Sequence, residues 1–373
     1  MKLTILIVGL GGLGSVLLEL LARSSLSCRL IVGSRNRLHG TASCNLAKLG
    51  AQAQGYDPDI DFIHLDLDEH KATIKTIQSI SPDIIVCTAT RQSWWLPRQL
   101  PTPQASRFKS AGFSLWLPLH LSLPTALMRI LHSADYRGLT LIAPFPDVVN
   151  CILDRMGLSP TCGIGNVDEI AAKVRGLAAV KLGVPIDEVA VALVGHHALE
   201  KCAFDGSPEP VPYFLRVEHN GRDVTKEVKA AELLMKPFSL PEGPPTHFLT
   251  AGSAVRLITA LGSDRSVRLH APGPNGLPGG YPVLASRSGV TVPEIDGLSL
   301  SGAIHINEQS HKFDGIERIE KDGSVVFTEN VVSTARDELG FSCSRLEPDE
   351  VETRAQELLS KFQAYAKGFG MVF

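Results

Sequence analysis

The chain has no apolar run approaching the length that spans a bilayer, no CxxC pair, no internal repeat, no low-complexity segment and no marked excess of one charge. Each absence excludes something. Without about 20 consecutive apolar residues no membrane-crossing helix forms, and no membrane partner is expected. A net charge of -3 offers no basic surface from which to argue nucleic-acid binding. Seven scattered cysteines argue for reduced thiols in a cytoplasmic setting, and against a disulfide framework or a zinc site. The opening Met1-Lys2-Leu3-Thr4-Ile5 lacks the long apolar core and cleavage site of a signal peptide. A small molecule remains as the expected partner.

What is present is an ordinary globular composition, 44% hydrophobic and 20% charged, over 373 residues, a length that suggests two domains. Residues 3–8 are continuously apolar, as in a strand buried on both faces of a parallel sheet. They run into Gly9-Leu10-Gly11-Gly12-Leu13-Gly14 and then an amphipathic helix. Gly9, Gly11 and Gly14 match G-x-G-x-x-G in the strand-before, helix-after setting that the motif requires. Gly9 allows the tight turn, Gly11 lets backbone approach a pyrophosphate, and Gly14 allows close helix–strand packing at a helix start that attracts phosphate. Gly9, Gly11, Gly12, Leu13 and Gly14 are therefore candidate dinucleotide contacts. Thr88 and Ala89 join them, near the carboxyl end of a later strand at 83–90, where ligands bind in this architecture.

The second strand, 28–32, ends in Gly33-Ser34-Arg35-Asn36-Arg37. An acid here would accept the ribose hydroxyls of NAD; none is present. Ser34 and Arg35 suit a 2′-phosphate instead, which points to NADP with NAD as the alternative. Further strands at 62–67 and 139–143 and helices at 42–49, 124–131 and 147–156 complete an alternating series. The expectation is an α/β fold: an N-terminal Rossmann-type doubly wound parallel sheet over residues 1–150, then a C-terminal α+β substrate domain over 151–373. Within the first, residues 91–103 carry Trp94, Trp95, Arg98 and three prolines, and read as a candidate lid loop.

A stretch at 163–200 holds the candidate proton-transfer residues. Asp168 stands just before a helix-patterned segment, 170–182, and His196 and His197 just after an apolar strand, 189–194. A helix with a returning strand brings its ends together, so a carboxylate could hold an imidazole by one nitrogen and leave the other for proton transfer. On a strand, adjacent histidines point to opposite faces, so only one of the two is expected to reach Asp168. Beyond this unit come a hairpin near 213–221, a helix at 251–261, a Gly/Pro-rich loop at 270–283, a hairpin at 315–327 and an amphipathic helix at 348–367.

Taken in order, these landmarks resemble the lactate and malate dehydrogenase superfamily, which also includes the family 4 glycosidases. The glycine motif, the strand end Thr88-Ala89 and the loop with Arg98 are similar to the family's. So are Asn166-Val167-Asp168, Ala178 to Val184 and Gly195-His196-His197. The resemblance implies His197 as the catalytic histidine, Asp168 as the residue orienting it, and Arg98 as the carbonyl-polarising arginine. It also implies a homo-oligomer. Two departures stand out. Ala171 occupies the position of the arginine that pairs with a substrate carboxylate, and Phe145-Pro146 that of an Asn-Pro step. The nearest cations are Lys173 and Arg175. The expected activity is an NAD(P)-dependent oxidoreductase interconverting a ketone, or keto acid, and a secondary alcohol by hydride transfer, on a larger or uncharged substrate. The alternatives are a cofactor-binding sensor or scaffold without turnover, and a metal- and NAD-dependent glycosidase. The glycosidases place a cysteine directly before the matching asparagine, where this chain has Gly165, with Cys162 three residues earlier.

Overall fold

In a computed structural model, which describes residues 2–372, the first half is an alternating strand–helix series. Strands β1 (Leu3–Val8), β2 (Cys28–Ser34), β3 (Asp59–His64), β4 (Ile84–Cys87), β5 (Leu139–Ile142) and β6 (Cys162–Gly163) form one parallel sheet in the order β3-β2-β1-β4-β5-β6. Its sixth strand comes from beyond residue 150. Helices α1 (Gly12–Ala22), α2 (Arg37–Gln52), α3 (His70–Ile80), α4 (Thr102–Ala111), α5 (Leu117–Ser133) and α6 (Pro146–Arg155) connect and cover the strands. The continuous apolar runs have a direct cause. Alternate residues of each strand feed opposite cores: Leu6, Val8, Ile31 and Ile85 join one cluster, and Ile5, Ile7, Leu30 and Ile84 the other. Full burial of each such side chain contributes about 1.5–3 kcal/mol.

The second half continues with α7 (Val167–Leu182), β7 (Val189–Gly195), α8 (Leu199–Asp205), β8 (Tyr213–His219), β9 (Arg222–Asp223), α9 (Ala230–Met235), α10 (His247–Leu261), β10 (Val267–Pro272), β11 (Gly280–Ser286) and β12 (Gly289–Thr291). Its antiparallel sheet runs β10-β11-β7-β8-β9, with β12 on β11. Helix α10 lies along α1 and fastens this half to the parallel sheet. The chain closes with α11 (Leu300–Ser310), β13 (Ile316–Ile319), β14 (Val325–Phe327), α12 (Glu329–Leu339), β15 (Arg345–Leu346) and α13 (Val351–Lys367). The last helix returns to α5, and its Phe362 meets Trp116, the residue just before α5, at 5.0 Å between ring centroids.

Several local expectations change. Residues 270–283 are not one long loop: their two ends belong to β10 and β11, paired with Ala271 opposite Tyr281, and the irregular part is the seven residues 273–279 between them. Residues 91–103 pass through one 3-10 turn, Leu96–Gln99, and then start α4, with Pro103 in its first turn, where a missing N–H is tolerated. Pro124 does not open its helix. Helix α5 starts at Leu117, has Pro118 in its first turn and carries Pro124 inside, at the loss of one backbone bond.

Candidate active site

A cavity of about 650 Å³ opens where the two halves meet at the carboxyl edge of the parallel sheet. On one side it is lined by Gly11, Gly12 and Leu13, on the other by Arg98, Asn166 and His197. The glycine loop has the close packing that the motif requires. A Cβ at Gly14 would lie 2.2 Å from the Gly9 carbonyl oxygen, and Gly9 itself sits at φ +100 against the Ala89 backbone. Thr88, whose hydroxyl donates to the Gly9 carbonyl at 2.9 Å, also faces the cavity. At Gly11 a Cβ would meet nothing within 4 Å. An exposed backbone edge at a helix start, opening into a cavity of this size, fits the diphosphate of a nicotinamide dinucleotide.

At the end of β2, Ser34 is half-buried and Arg35 exposed. The Arg35 guanidinium lies 3.9 Å from Asp68, whose carboxylate is engaged bidentately by Arg91 at 2.8 and 3.2 Å. Arg91 also bonds Ser122 and Glu352. It ties three segments together. Arg98 is exposed at the cavity's rim, its guanidinium carbon 4.7 Å from the centre of the Trp94 ring.

The histidine of the proton-transfer pair has a different partner from the one expected. His197 Nδ1 lies 2.9 Å from Asp314 Oδ2, and His196 Nδ1 lies 3.1 Å from the same oxygen. Asp168 reaches neither. It accepts the His270 backbone N–H at 3.3 Å and pairs with Arg256 at 3.5 Å. The reason is helical geometry. Asp168 lies inside α7 rather than before it, on the face toward β10, whereas Glu169, one residue and about 100° onward, faces the cavity. The two histidines follow β7, in the turn into α8, so strand alternation does not separate them.

Electrostatics and packing hold His197 in place. Burial alone would push its imidazole down, but Asp314, helped by Glu200 and Asp147, holds it up at about 9. Asp314 is fully buried, which opposes ionisation, yet the two imidazoles keep it well below the carboxylate range. The ring of Phe113 lies 5.0 Å from that of His197, and so does that of Phe145, the residue at the Asn-Pro position, held at φ +45. Below them Asp147, wholly buried and pushed up by burial, accepts the His197 backbone N–H at 3.0 Å and the Asn166 side-chain amide. It joins α6, the start of α7 and the histidine turn. His120, held down to about 3 by burial and by His197, accepts no charge beside it.

The cavity's other ionisable groups explain the departure at Ala171. That side chain is buried in the core beside α7. Lys173 is spent on the backbone carbonyls of Ala203, Leu234 and Lys236. Neither Lys173 nor Arg175 lines the cavity. Instead Glu169 and Glu200 do. Burial and the proximity of Glu200 push Glu169 up to about 8, and burial raises Glu200 while His197 opposes it. Among the described residues no lysine or arginine lies within 4 Å of either carboxylate. Cys162 is fully buried on β6, and the described residues gather no group of three or more His, Cys, Asp or Glu side chains placed to hold a metal ion.

Comparison with solved structures supplies the frame for this geometry. A malate dehydrogenase from Plasmodium falciparum superposes with a TM-score of 0.57 at 14% identity, covering 96% of this chain and 99% of its own. The fold is that of the malate and lactate dehydrogenases. A malate dehydrogenase from Cryptosporidium parvum gives 0.58 at 15% identity over 84% of this chain and 98% of its own. The lactate dehydrogenase of that organism, solved with lactic acid and nicotinamide adenine dinucleotide, gives 0.56 at 14% over 84% and 97%. No family model matches the chain, and no curated protein matches it by sequence. No helix among the described residues is long and apolar enough to cross a membrane.

Asp314, Asp147, His120, Glu169 and Glu200 were outside the residues singled out from sequence. Glu169 adjoins the Asn-Val-Asp motif, so a helical projection of that motif would have found it. Asp314, 117 residues from His197, left no local signal.

Proposed function

We propose that the protein is a nicotinamide-dependent oxidoreductase that interconverts a ketone and a secondary alcohol, with His197 as the proton donor and acceptor and Asp314 as its carboxylate partner. The observation that carries this reading is His197 Nδ1 at 2.9 Å from Asp314, in a cavity continuous with the glycine loop. The chemistry the bound dinucleotide supplies is hydride transfer. With Nδ1 occupied by Asp314, His197 offers Nε2 to the substrate oxygen. Charged at neutral pH, the ring donates a proton in the reducing direction, and Asp314 stabilises that charged form until transfer. Glu200, 3.9 Å from Nε2, stands where it can return a proton to the ring. Arg98, turning from Trp94 toward the cavity, would stabilise negative charge developing on the oxygen.

The substrate in this reading is an uncharged ketone rather than a keto acid. Glu169 and Glu200 line the cavity, and the cations that also line it, Arg98, Lys109 and Lys201, stand more than 4 Å from both carboxylates. A carboxylate about 4 Å from either glutamate in its ionised form would meet a repulsion of about 4 kcal/mol at an effective dielectric of about 20. Glu169, pushed up to about 8, is largely neutral at pH 7 and offers a neutral carbonyl a hydrogen bond. NADP(H) is the proposed cofactor, on Ser34 and Arg35, with NAD(H) as the alternative; the relevant neighbours carry NADH or nicotinamide adenine dinucleotide. Self-association is proposed through α2, where Leu38, Leu46 and Leu49 stand exposed, with sedimentation of the purified protein as its test. The reading as a whole is tested by cofactor oxidation with a panel of ketones and keto acids. Turnover of neutral ketones above keto acids, abolished by His197→Ala, is the expected result. No turnover with any carbonyl despite cofactor binding would replace it with the sensor reading.

A further inference from the structure

We propose that His247 is a phosphate ligand of the dinucleotide site, closing over the glycine loop and donating a hydrogen bond to the diphosphate. This rests on the dinucleotide reading of the cavity and adds a residue to it from the other half of the molecule. His247 is the first residue of α10 and is 7% exposed, and it lines the cavity together with Gly11, Gly12 and Leu13. Among the described residues its imidazole has no hydrogen-bond partner; its recorded ring contact is the edge of Trp94 at 6.3 Å. A buried imidazole normally finds a partner for its N–H, so one facing a cavity without any is placed for a ligand. Burial pushes the ring toward its neutral form, with no charged group contributing.

Gly12 gives a second, independent indication. The glycine motif uses positions 9, 11 and 14 and has no requirement at 12. Here a Cβ at Gly12 would lie 2.7 Å from both Nε2 and Cδ2 of His247. The missing side chain is what lets the imidazole reach the loop. The same contact brings together the starts of two helices, since α1 begins at Gly12 and α10 at His247. The helices run side by side in the same direction: Gly262, just past the end of α10, meets Leu26, a few residues past the end of α1. Both positive ends therefore face one point of the cavity, with the imidazole between them, which favours a dianionic group there.

The test is calorimetric titration of the full chain with ADP-ribose, which carries the diphosphate, and with adenosine, which does not. Wild type, His247→Ala and His247→Gln are compared. Loss of a hydrogen bond to a charged group corresponds to about a 10- to 100-fold change in affinity. The expected result is that loss for ADP-ribose in His247→Ala, partial recovery in His247→Gln through its amide N–H, and adenosine unchanged in all three. Unchanged or tighter ADP-ribose binding by His247→Ala would overturn the proposal and make the ring a packing group or a plug. Parallel weakening of adenosine would assign the effect to collapse of the loop and overturn it too. If wild type binds none of ADP-ribose, NADPH and NADH, the dinucleotide reading itself fails, which separates that failure from the histidine's.

Discussion

Replacing Asp314 with asparagine removes a charge while keeping its shape, and the consequence can be worked from the site. The rise of His197 from 6.5 to about 9 corresponds to roughly 3 kcal/mol of preference for the imidazolium, at about 1.4 kcal/mol per tenfold change. Burial opposes that rise, so without Asp314 the ring falls to its ordinary value or below. At pH 7.5 the wild-type ring is protonated in about 30 molecules for each neutral one, whereas a ring at or below 6.5 is protonated in about one of ten or fewer. Ketone reduction at that pH therefore drops at least about tenfold from protonation alone. Loss of orientation adds to this, within the 100- to 10,000-fold that a positioned acid supplies. The assay is the pH profile of reduction together with the His197 ring signals followed by NMR. The variant's activity moves to lower pH with the ring. An unchanged ring titration in Asp314→Asn would refute the assignment, and so would Asp168→Asn producing the shift predicted for Asp314.

Other expectations follow from the same contacts. A group whose folded value is raised adds stability below its unfolded value and loses it as pH rises through the folded one. The wild-type melting temperature should therefore decline between about pH 6.5 and 9, and that decline should flatten in Asp314→Asn, as read by calorimetry across pH. Asp168→Asn should lower stability by about 1–3 kcal/mol through its lost pairing with Arg256 while leaving the pH profile of turnover in place. Ala171→Arg should destabilise by overpacking a buried site, by about 1–3 kcal/mol or more, without creating keto-acid reduction. Arg35→Ala should weaken NADPH binding by about tenfold or more and leave NADH within twofold, measured by fluorescence titration.

The parts of the fold readable from sequence were those written in local patterns. Buried strands such as 3–8 and 189–194, the glycine loop, the Asn220-Gly221 and Asp322-Gly323 turns and the final helix are each specified by residues close together in the chain. Their order suffices for a doubly wound sheet. Proline misled in two places. Pro103, in a stretch that reads as a loop, lies in the first turn of a helix, and Pro124, which reads as a helix start, lies inside one, so the same residue type marks a start and an interruption. The ends of the Gly/Pro stretch at 270–283 are paired because β11 is held from both sides, by β10 and by β7, which overrides loop-like composition there, while 273–279 stays a loop. The candidate site was legible to the same limit. His197, the glycine loop and Arg98 line one cavity. The choice of carboxylate depended on which way one helical turn faces, a quantity set by packing of α7 against β10 and α10 rather than by the motif. Asp314 and Asp147 come from segments with no sequence tie to His197, and they meet it only once the chain is folded.

The central claim is that His197 serves a hydride transfer in the cavity beside the glycine loop. It is tested most directly with NADPH or NADH deuterated at the transferable position of the ring and a panel of ketones. Mass spectrometry follows the label into the product. The account predicts one deuterium on the carbinol carbon with the wild type, and formation of that product slowed by at least about 100-fold in His197→Ala. Equal label transfer by the two proteins would contradict it.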